Sequence, residues 1–531
     1  MRKITFVLLF STFSLFAQNS STNCDVLLKI NKLIQKEHYN PKPVNDSLSA
    51  YVFDELLNDL DPSRNIFFKT QADSLSSIYR LKLDNLILKN DCSFLDDIKK
   101  VYKKSLSRNK TILEKLHEKT IDYSTKDTIK FKKQDSDFYL KANEAEKAWN
   151  KKIRYEVFND IAEKSKNIDS LKLHFGTMSI ISQKNIIENE LCKINVSLTN
   201  DEPFEDNFYT IFCGYFDPHT NYFSNDTKSS FVSTLSKEKL SLGLDISLNE
   251  KNEINIIEID QNGPAFKTGR IQKGDQILAI SNQKETLEVS CSSLESIATM
   301  MSSELNTILT LTLKRKTGKP FKVTIQKQIL KDDENTVYSF IADKNIKVGY
   351  IKIPSFYSDF EEKSGKGCAQ DVAKETVKLM QDDIKGLILD LTDNGGGSME
   401  EAVKLAGLFI DRGPISIVAD NKKQLSIIND PYKGVIYKGP IVIIINGNSA
   451  SASEFFADIM QDYNRAILIG STSLGKASMQ TILPLEKNDD QHFVKLTVSK
   501  FYRITGKSHQ GIGVIPDVKI PTIYQDVFQK E

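Results

Sequence analysis

The chain has 531 residues, too long for one compact core, and about three or four domains are expected. Lys and Arg total 71 against 70 Asp and Glu, 40% of residues are apolar and 27% are charged, which is the profile of soluble globular domains. That balance excludes nucleic-acid binding by bulk positive charge, an acidic disordered chain and a polytopic membrane protein.

The first residues set the compartment. Arg2 and Lys3 precede an apolar run from Ile4 to Phe16, and Ala17 offers a small residue for cleavage. This reads as a secretory signal peptide over residues 1–17, too short for a membrane span. Cys24 follows Ser-Thr-Asn rather than a lipoprotein-type context, so a soluble, exported product is expected, with no stable membrane span after cleavage. The six cysteines are scattered without a CxxC. Zinc is therefore not expected, the pairing is not assignable, and buried free thiols are expected for most of them.

Residues 18–235 are expected to form a helical domain with a linker. Cys24–Phe175 contains no glycine, and stretches such as SLSAYVFDELLNDL place apolar residues at helical spacing. The chain changes character at FDPHTNYF (216–223), where Pro218 marks a turn and His219 reads as a structural turn residue.

Residues 236–332 alternate short strands and turns around one helix-like stretch, LESIATMMSSEL, as in a small, partly open barrel. Leu242-Gly243-Leu244-Asp245-Ile246 leads a strand, and GPAFKTGRIQKGDQILAI follows. A glycine turn before a strand can present backbone N–H groups to a peptide carboxylate while the peptide pairs with the strand edge. The pattern resembles a PDZ domain, with Leu242, Gly243, Leu244 and Ile246 as peptide-binding residues.

Residues 333–531 read as an α/β domain. VGYIKI, GLILDL, GPIVIIIN and RAILIGS are apolar runs suited to a sheet covered on both faces, and EEAVKLAGLFI and SEFFADIMQ suit crossover helices. Three features in it carry chemistry. Ser451 lies between the strand GPIVIIIN and a helix, where free N–H groups and the helix dipole favour a developing anion, although Ser451-Ala-Ser-Glu454 is also an ordinary capping box. Gly395-Gly396-Gly397 after GLILDL could present amides to an oxyanion or a phosphate, but the spacing fits neither a P-loop nor GxGxxG. Lys476 follows a strand, and Gln480 would share its face if the turn were helical. A lysine buried beside a serine can lose its proton and act as a base. None of the six histidines connects to Ser451 in sequence, with His509 in a polar loop, so a Ser/Lys arrangement is favoured over a histidine triad.

Together these pieces resemble the carboxy-terminal processing proteases, in particular the tail-specific, Prc-type branch of bacterial periplasms. The resemblance rests on SASASEFFADIMQDYNRAILIG, SLGKASMQ, DLTDNGGG, KVGYIKIPSFY, KFYRITGKSHQGIGVIPDV, FDPHTNYF and LDPSRNIFF, with Ser451 and Lys476 25 residues apart. It implies a multidomain α+β protein with a helical N-terminal domain, a PDZ-like small barrel and a crotonase/ClpP-like α/β protease domain. It further implies Ser451 as nucleophile, Lys476 as general base, Gln480 as its orienting partner, the amides of Gly396, Gly397 and Ala452 as oxyanion hole, and Asp462 as a structural carboxylate. Substrates would be proteins or peptides gripped by their C-termini, in the periplasm. A periplasmic adaptor protein is a compatible partner, and no metal or organic cofactor is implied.

The sequence departs from the family pattern at Thr392, where Arg is usual, at Ala477, where GKG is usual, and at His509, where Thr is usual; longer relatives continue past the protease domain. Those departures leave a weakened pseudoprotease acting as a PDZ-type scaffold as the alternative. A crotonase-type acyl-CoA enzyme is a third reading, opposed by the signal peptide and the PDZ-like segment.

Overall fold

The computed structural model describes residues 22–531 apart from 127, 131–137, 165, 200–201, 250–252, 293, 316, 332–335, 359–366, 432 and 522–529. The expected signal peptide lies outside the described residues.

Eight described helices occupy Thr22–Gly214. The helix Asp46–Leu60 shows why: Asn45 caps it by accepting the Ser47 N–H at 3.0 Å, and Leu48, Val52, Phe53, Leu56 and Leu60 line one buried face. The helices close over two cores, one around Leu27, Phe53, Phe94 and Phe212, the other around Leu113, Trp149, Ile153 and Val157. The expectation of mostly free thiols fails. Cys24 pairs with Cys92 and Cys192 with Cys291, leaving Cys213 and Cys368 as buried free thiols. The partners are 68 and 99 residues apart, and tertiary packing, invisible in spacing, brings them together: the first bond lies within the helical unit, and the second joins the helix Ile168–Thr199 to a turn of the barrel-like unit.

The barrel-like unit is an antiparallel sheet in the order 244–248, 254–259, 276–281, 308–314, 321–326, with the helix Leu294–Ser302 against it. Ile256, Ile277, Leu311 and Ile325 fill its core. The strand Leu244–Leu248 is at one edge of this sheet. Chain enters and leaves the unit through one antiparallel ladder, Glu238–Ser241 against Gln328–Lys331.

The remaining chain builds two sheets. The four apolar runs form parallel neighbours 347–352, 386–390, 441–445 and 467–470 within a six-stranded sheet, with the helices Cys368–Met380, Met399–Gly407 and Ala452–Asp462 packed into the same core. The second sheet is organised by one twelve-residue strand, His492–Arg503. It pairs antiparallel with Ser478–Pro484, Gly413–Ala419 and, from the far end of the helical unit, Asn221–Ser224. Val494 and Leu496 of this strand sit in the first helical core, so helical and protease units share packed surface. Among the described residues no helix is long and apolar enough to cross a membrane.

Candidate active site

Ser451 sits between the strand Ile441–Ile445 and the helix Ala452–Asp462 with φ 55° and ψ −113°, a positive φ rare for a non-glycine residue. Such strain persists only where the surroundings over-determine it, and two elements do so here. Asn394 is fully buried. Its carbonyl accepts from the Ala450 N–H at 3.0 Å and the Ser453 hydroxyl at 2.8 Å, and its side-chain amide donates to the Ile353 carbonyl at 2.8 Å. Gly396, at φ 105°, presses directly on the serine turn. A Cβ there would meet the Ala450 carbonyl and the Ser451 Cβ, each at 2.9 Å.

The glycine loop is not a row of three free donors. The Gly396 N–H donates to Asn394 Oδ1 at 2.9 Å, which withdraws it from the set of oxyanion donors that the sequence suggests. No described hydrogen bond uses the N–H of Gly397 or of Ala452, the first residue of the helix. Where the family carries Arg, Thr392 donates its hydroxyl to Asp390 at 2.7 Å, and a cation arrives from the next strand instead. Lys352 Nζ lies 2.6 Å from the Thr392 carbonyl and 3.1 Å from Asp390.

Glu454 joins the serine turn to the lysine loop. One carboxylate oxygen accepts the Ser451 and Lys476 N–H groups, each at 2.8 Å; the other accepts the Gly475 N–H at 2.6 Å and the Ser473 hydroxyl at 2.5 Å. The capping-box reading was thus half of the matter, because the same carboxylate also holds the loop that carries Lys476. Burial pushes the Glu454 pKa up, and His509 and these donors oppose it without cancelling the rise. Lys476 is half-buried. Desolvation pushes its pKa below the ordinary lysine value, against the opposing charges of Glu531, Asp217 and Glu454. Among the described residues its ammonium makes no hydrogen bond or ion pair.

The Lys476–Gln480 turn is not helical. Ser478–Pro484 is a strand, with a register shift between Met479 and Gln480 against His492–Arg503. Gln480 Nε2 donates to Ser478 Oγ at 3.0 Å and Thr497 Oγ1 at 3.2 Å. Ala477 is fully buried and its φ is not positive; the glycine freedom is needed two residues earlier, at Gly475 with φ 105°. His509 does not lie in an open polar loop. It is buried, with Nδ1 2.6 Å from Asp458 and Nε2 3.2 Å from the Lys476 carbonyl. Asp462 pairs with Arg503, whose Nε reaches both carboxylate oxygens at 2.9 and 3.1 Å.

In the barrel-like unit the Leu242 side chain belongs to the core and its carbonyl accepts the Ala265 N–H at 3.0 Å. Gly243 has φ 69° and lies so close to Gly263 that a Cβ would meet the Gly263 Cα at 2.9 Å. Its N–H goes to Ser241 Oγ at 3.0 Å. Leu244 and Ile246 are partly buried on the edge strand.

The sequence matches the tail specific protease N-terminal domain over residues 30–226, the PDZ domain over 232–314 and peptidase family S41 over 347–520. It is 30% identical to the tail-specific protease of Haemophilus influenzae over 500 residues, covering 92% of this chain and 69% of that protein. It is likewise 30% identical to a carboxy-terminal-processing protease of Bartonella bacilliformis over 328 residues, 61% of this chain and 71% of that one. A solved photosystem II D1 C-terminal processing protease aligns at 22% identity and TM-score 0.38, over 62% of this chain and 85% of that chain. With a helical N-terminal unit, a PDZ domain and an S41 domain in this order, the chain belongs to the tail-specific, carboxy-terminal-processing family of serine peptidases.

Proposed function

We propose that Ser451 and Lys476 form a catalytic dyad that cleaves peptide bonds in substrates delivered by their C-terminal tails. Neutral Lys476 takes the Ser451 hydroxyl proton as Oγ bonds to the scissile carbonyl carbon. The N–H groups of Gly397 and Ala452 receive the oxyanion, and Lys476 then passes the proton to the leaving amine. Lys476, neutral again, takes a proton from the water that attacks the acyl-enzyme carbonyl and returns it to Ser451 Oγ as the acyl–oxygen bond breaks. Gln480 orients Lys476.

The observation that carries the reading is the Glu454 carboxylate, which holds the backbones of Ser451 and Lys476 on a single oxygen at 2.8 Å each. A capping glutamate needs only the first of these bonds. The unpaired, partly desolvated ammonium supports a lysine that sheds its proton more readily than one in water. For recognition, the edge strand Leu244–Leu248 supports β-augmentation, in which a substrate tail adds as a further strand and ends at the Gly243 turn. Two disulfides support export to an oxidising compartment, the periplasm in this reading.

The test is degradation of an unfolded protein ending in an apolar tail. Wild type is expected to generate fragments, while Ser451→Ala and Lys476→Ala generate none at neutral pH. Turnover retained by either variant overturns the dyad.

A further inference from the structure

The segment FDPHTNYF has no part in the dyad as described, yet the fold carries it there. Asn221–Ser224 pairs with the strand His492–Arg503, so Asp217, second residue of the segment, comes to lie against Thr497 of that strand. The Asp217 carboxylate is heavily solvated by protein. It accepts the N–H of His219 at 2.7 Å and of Thr220 at 3.0 Å, the Thr220 hydroxyl at 2.7 Å and the Thr497 hydroxyl at 3.2 Å, and it pairs with His38 Nε2. Burial pushes its pKa up, but the bonds from His38, Thr220 and His219 outweigh that and hold it well below the usual carboxylate range. The other charged or titratable groups around it are Lys476, Lys495 and the Cys213 thiol.

An ionised carboxylate only accepts hydrogen bonds, and a threonine hydroxyl has one proton. That proton is committed to Asp217, so the Thr497 oxygen must accept, and its donor is Gln480 Nε2 at 3.2 Å. The same nitrogen donates to Ser478 Oγ at 3.0 Å, which occupies both amide protons. The direction of the whole chain follows from its acidic end. An amide turned the other way would point its oxygen at a hydroxyl that has no proton to give.

We propose that Asp217, contributed by the helical unit, is a positioning residue of the active site that acts through Thr497 to fix the orientation of the Gln480 amide and leave its oxygen for the lysine. The inference rests on the Ser/Lys reading with Gln480 as the orienting partner. It gives the helical unit a place in the chemistry besides its packing.

The experiment measures kcat and KM of full-length Thr497→Val, Thr497→Ser, Asp217→Asn, Gln480→Ala and the double variant Thr497→Val/Gln480→Ala on a short peptide substrate. Thr497→Val is expected to lose about 10- to 100-fold in kcat with KM unchanged, and Thr497→Ser, which keeps the donor, to recover to within about threefold. The double variant is expected to be no worse than Gln480→Ala, because the two residues act as one unit. Asp217→Asn should match Thr497→Val in kcat and move the acid limb of kcat/KM to lower pH, since a charge that favours the ammonium is gone. Wild-type kcat in Thr497→Val, full additivity in the double variant, or an unimpaired Gln480→Ala overturns the inference. If Ser451→Ala or Lys476→Ala still turns over, the dyad itself has failed. If both are dead and Thr497→Val is not impaired, only this inference has.

Discussion

Glu454 and Lys476 meet through a backbone hydrogen bond of 2.8 Å, and the same carboxylate oxygen takes the Ser451 N–H at the same distance. The backbones of the two residues of the proposed dyad are therefore held together by one side chain. A carboxylate with four donors has no isosteric substitute, because an amide turns two of its protons toward N–H and O–H groups. Glu454→Gln is expected to lower kcat at least about 100-fold with little change in KM, as a small misplacement at the chemistry does. Steady-state kinetics with circular dichroism as the folding control measures this; near-normal kcat would refute it.

Gly396 provides a steric counterpart. Adding a methyl group puts a carbon 2.9 Å from both the Ser451 Cβ and the Ala450 carbonyl, at a φ of 105° that Ala resists. Gly396→Ala should slow covalent labelling of Ser451 by a serine-directed acylating probe by about 100-fold or more. Binding of a tail peptide should be unaltered.

The recognition step can be separated from the chemistry at Gly243. Its Cβ would sit 2.9 Å from the Gly263 Cα, backbone against backbone. Gly243→Ala is expected to weaken capture of substrates through their tails about tenfold or more, read as a raised KM. Hydrolysis of a short peptide that does not need the PDZ domain should continue at the wild-type rate.

His509 predicts a pH dependence. Its two ring nitrogens face the Asp458 carboxylate and the Lys476 carbonyl, neither of which donates, so the ring carries both protons. Burial pushes its pKa down, while Asp458, Glu454 and the Lys476 carbonyl push it up by more, and the net shift is upward. A raised folded-state pKa gives stability that is complete below the unfolded value of about 6.5 and is lost as pH rises through the folded value. The urea midpoint for loss of activity should therefore fall in wild type as pH rises above about 6.5. In His509→Gln that part of the slope should be absent.

The disulfide Cys24–Cys92 closes a loop across 68 residues of sequence. Chain entropy assigns such a link about 4 kcal/mol. Cys24→Ser/Cys92→Ser should lower the first thermal transition, that of the helical unit, while Ser451 labelling in the folded protein is unchanged.

Much of this architecture is legible in the sequence. The parallel strands announce themselves because both faces are covered, which writes VGYIKI and GPIVIIIN as nearly unbroken apolar runs. Ser451 and Lys476 are legible as motifs. Their connection through Glu454 is not, since S-x-x-E reads as an ordinary cap whether or not a second loop arrives on the same carboxylate. The strand His492–Arg503 escaped because it serves two cores and three partner strands, and no single periodicity describes it. Asp217 and Thr497, 280 residues apart, touch only once Asn221–Ser224 has joined that strand. His509 looks polar in KSHQG because its charge partners lie on a helix about fifty residues earlier.

The ladder between Glu238–Ser241 and Gln328–Lys331 has a consequence for the modularity of the chain. Ser241 and Gln328 face each other as register partners, so everything between them is a closed excursion from the surrounding fold. Paired strands stand only about 5 Å apart, a gap that a two-residue turn can bridge. The reader of substrate tails is thus a cassette with its two leads soldered side by side. Its backbone leaves and rejoins the fold at one place, but Cys192 of the helical unit holds Cys291 inside it, so an exchanged cassette must keep a cysteine there or lose its second tether.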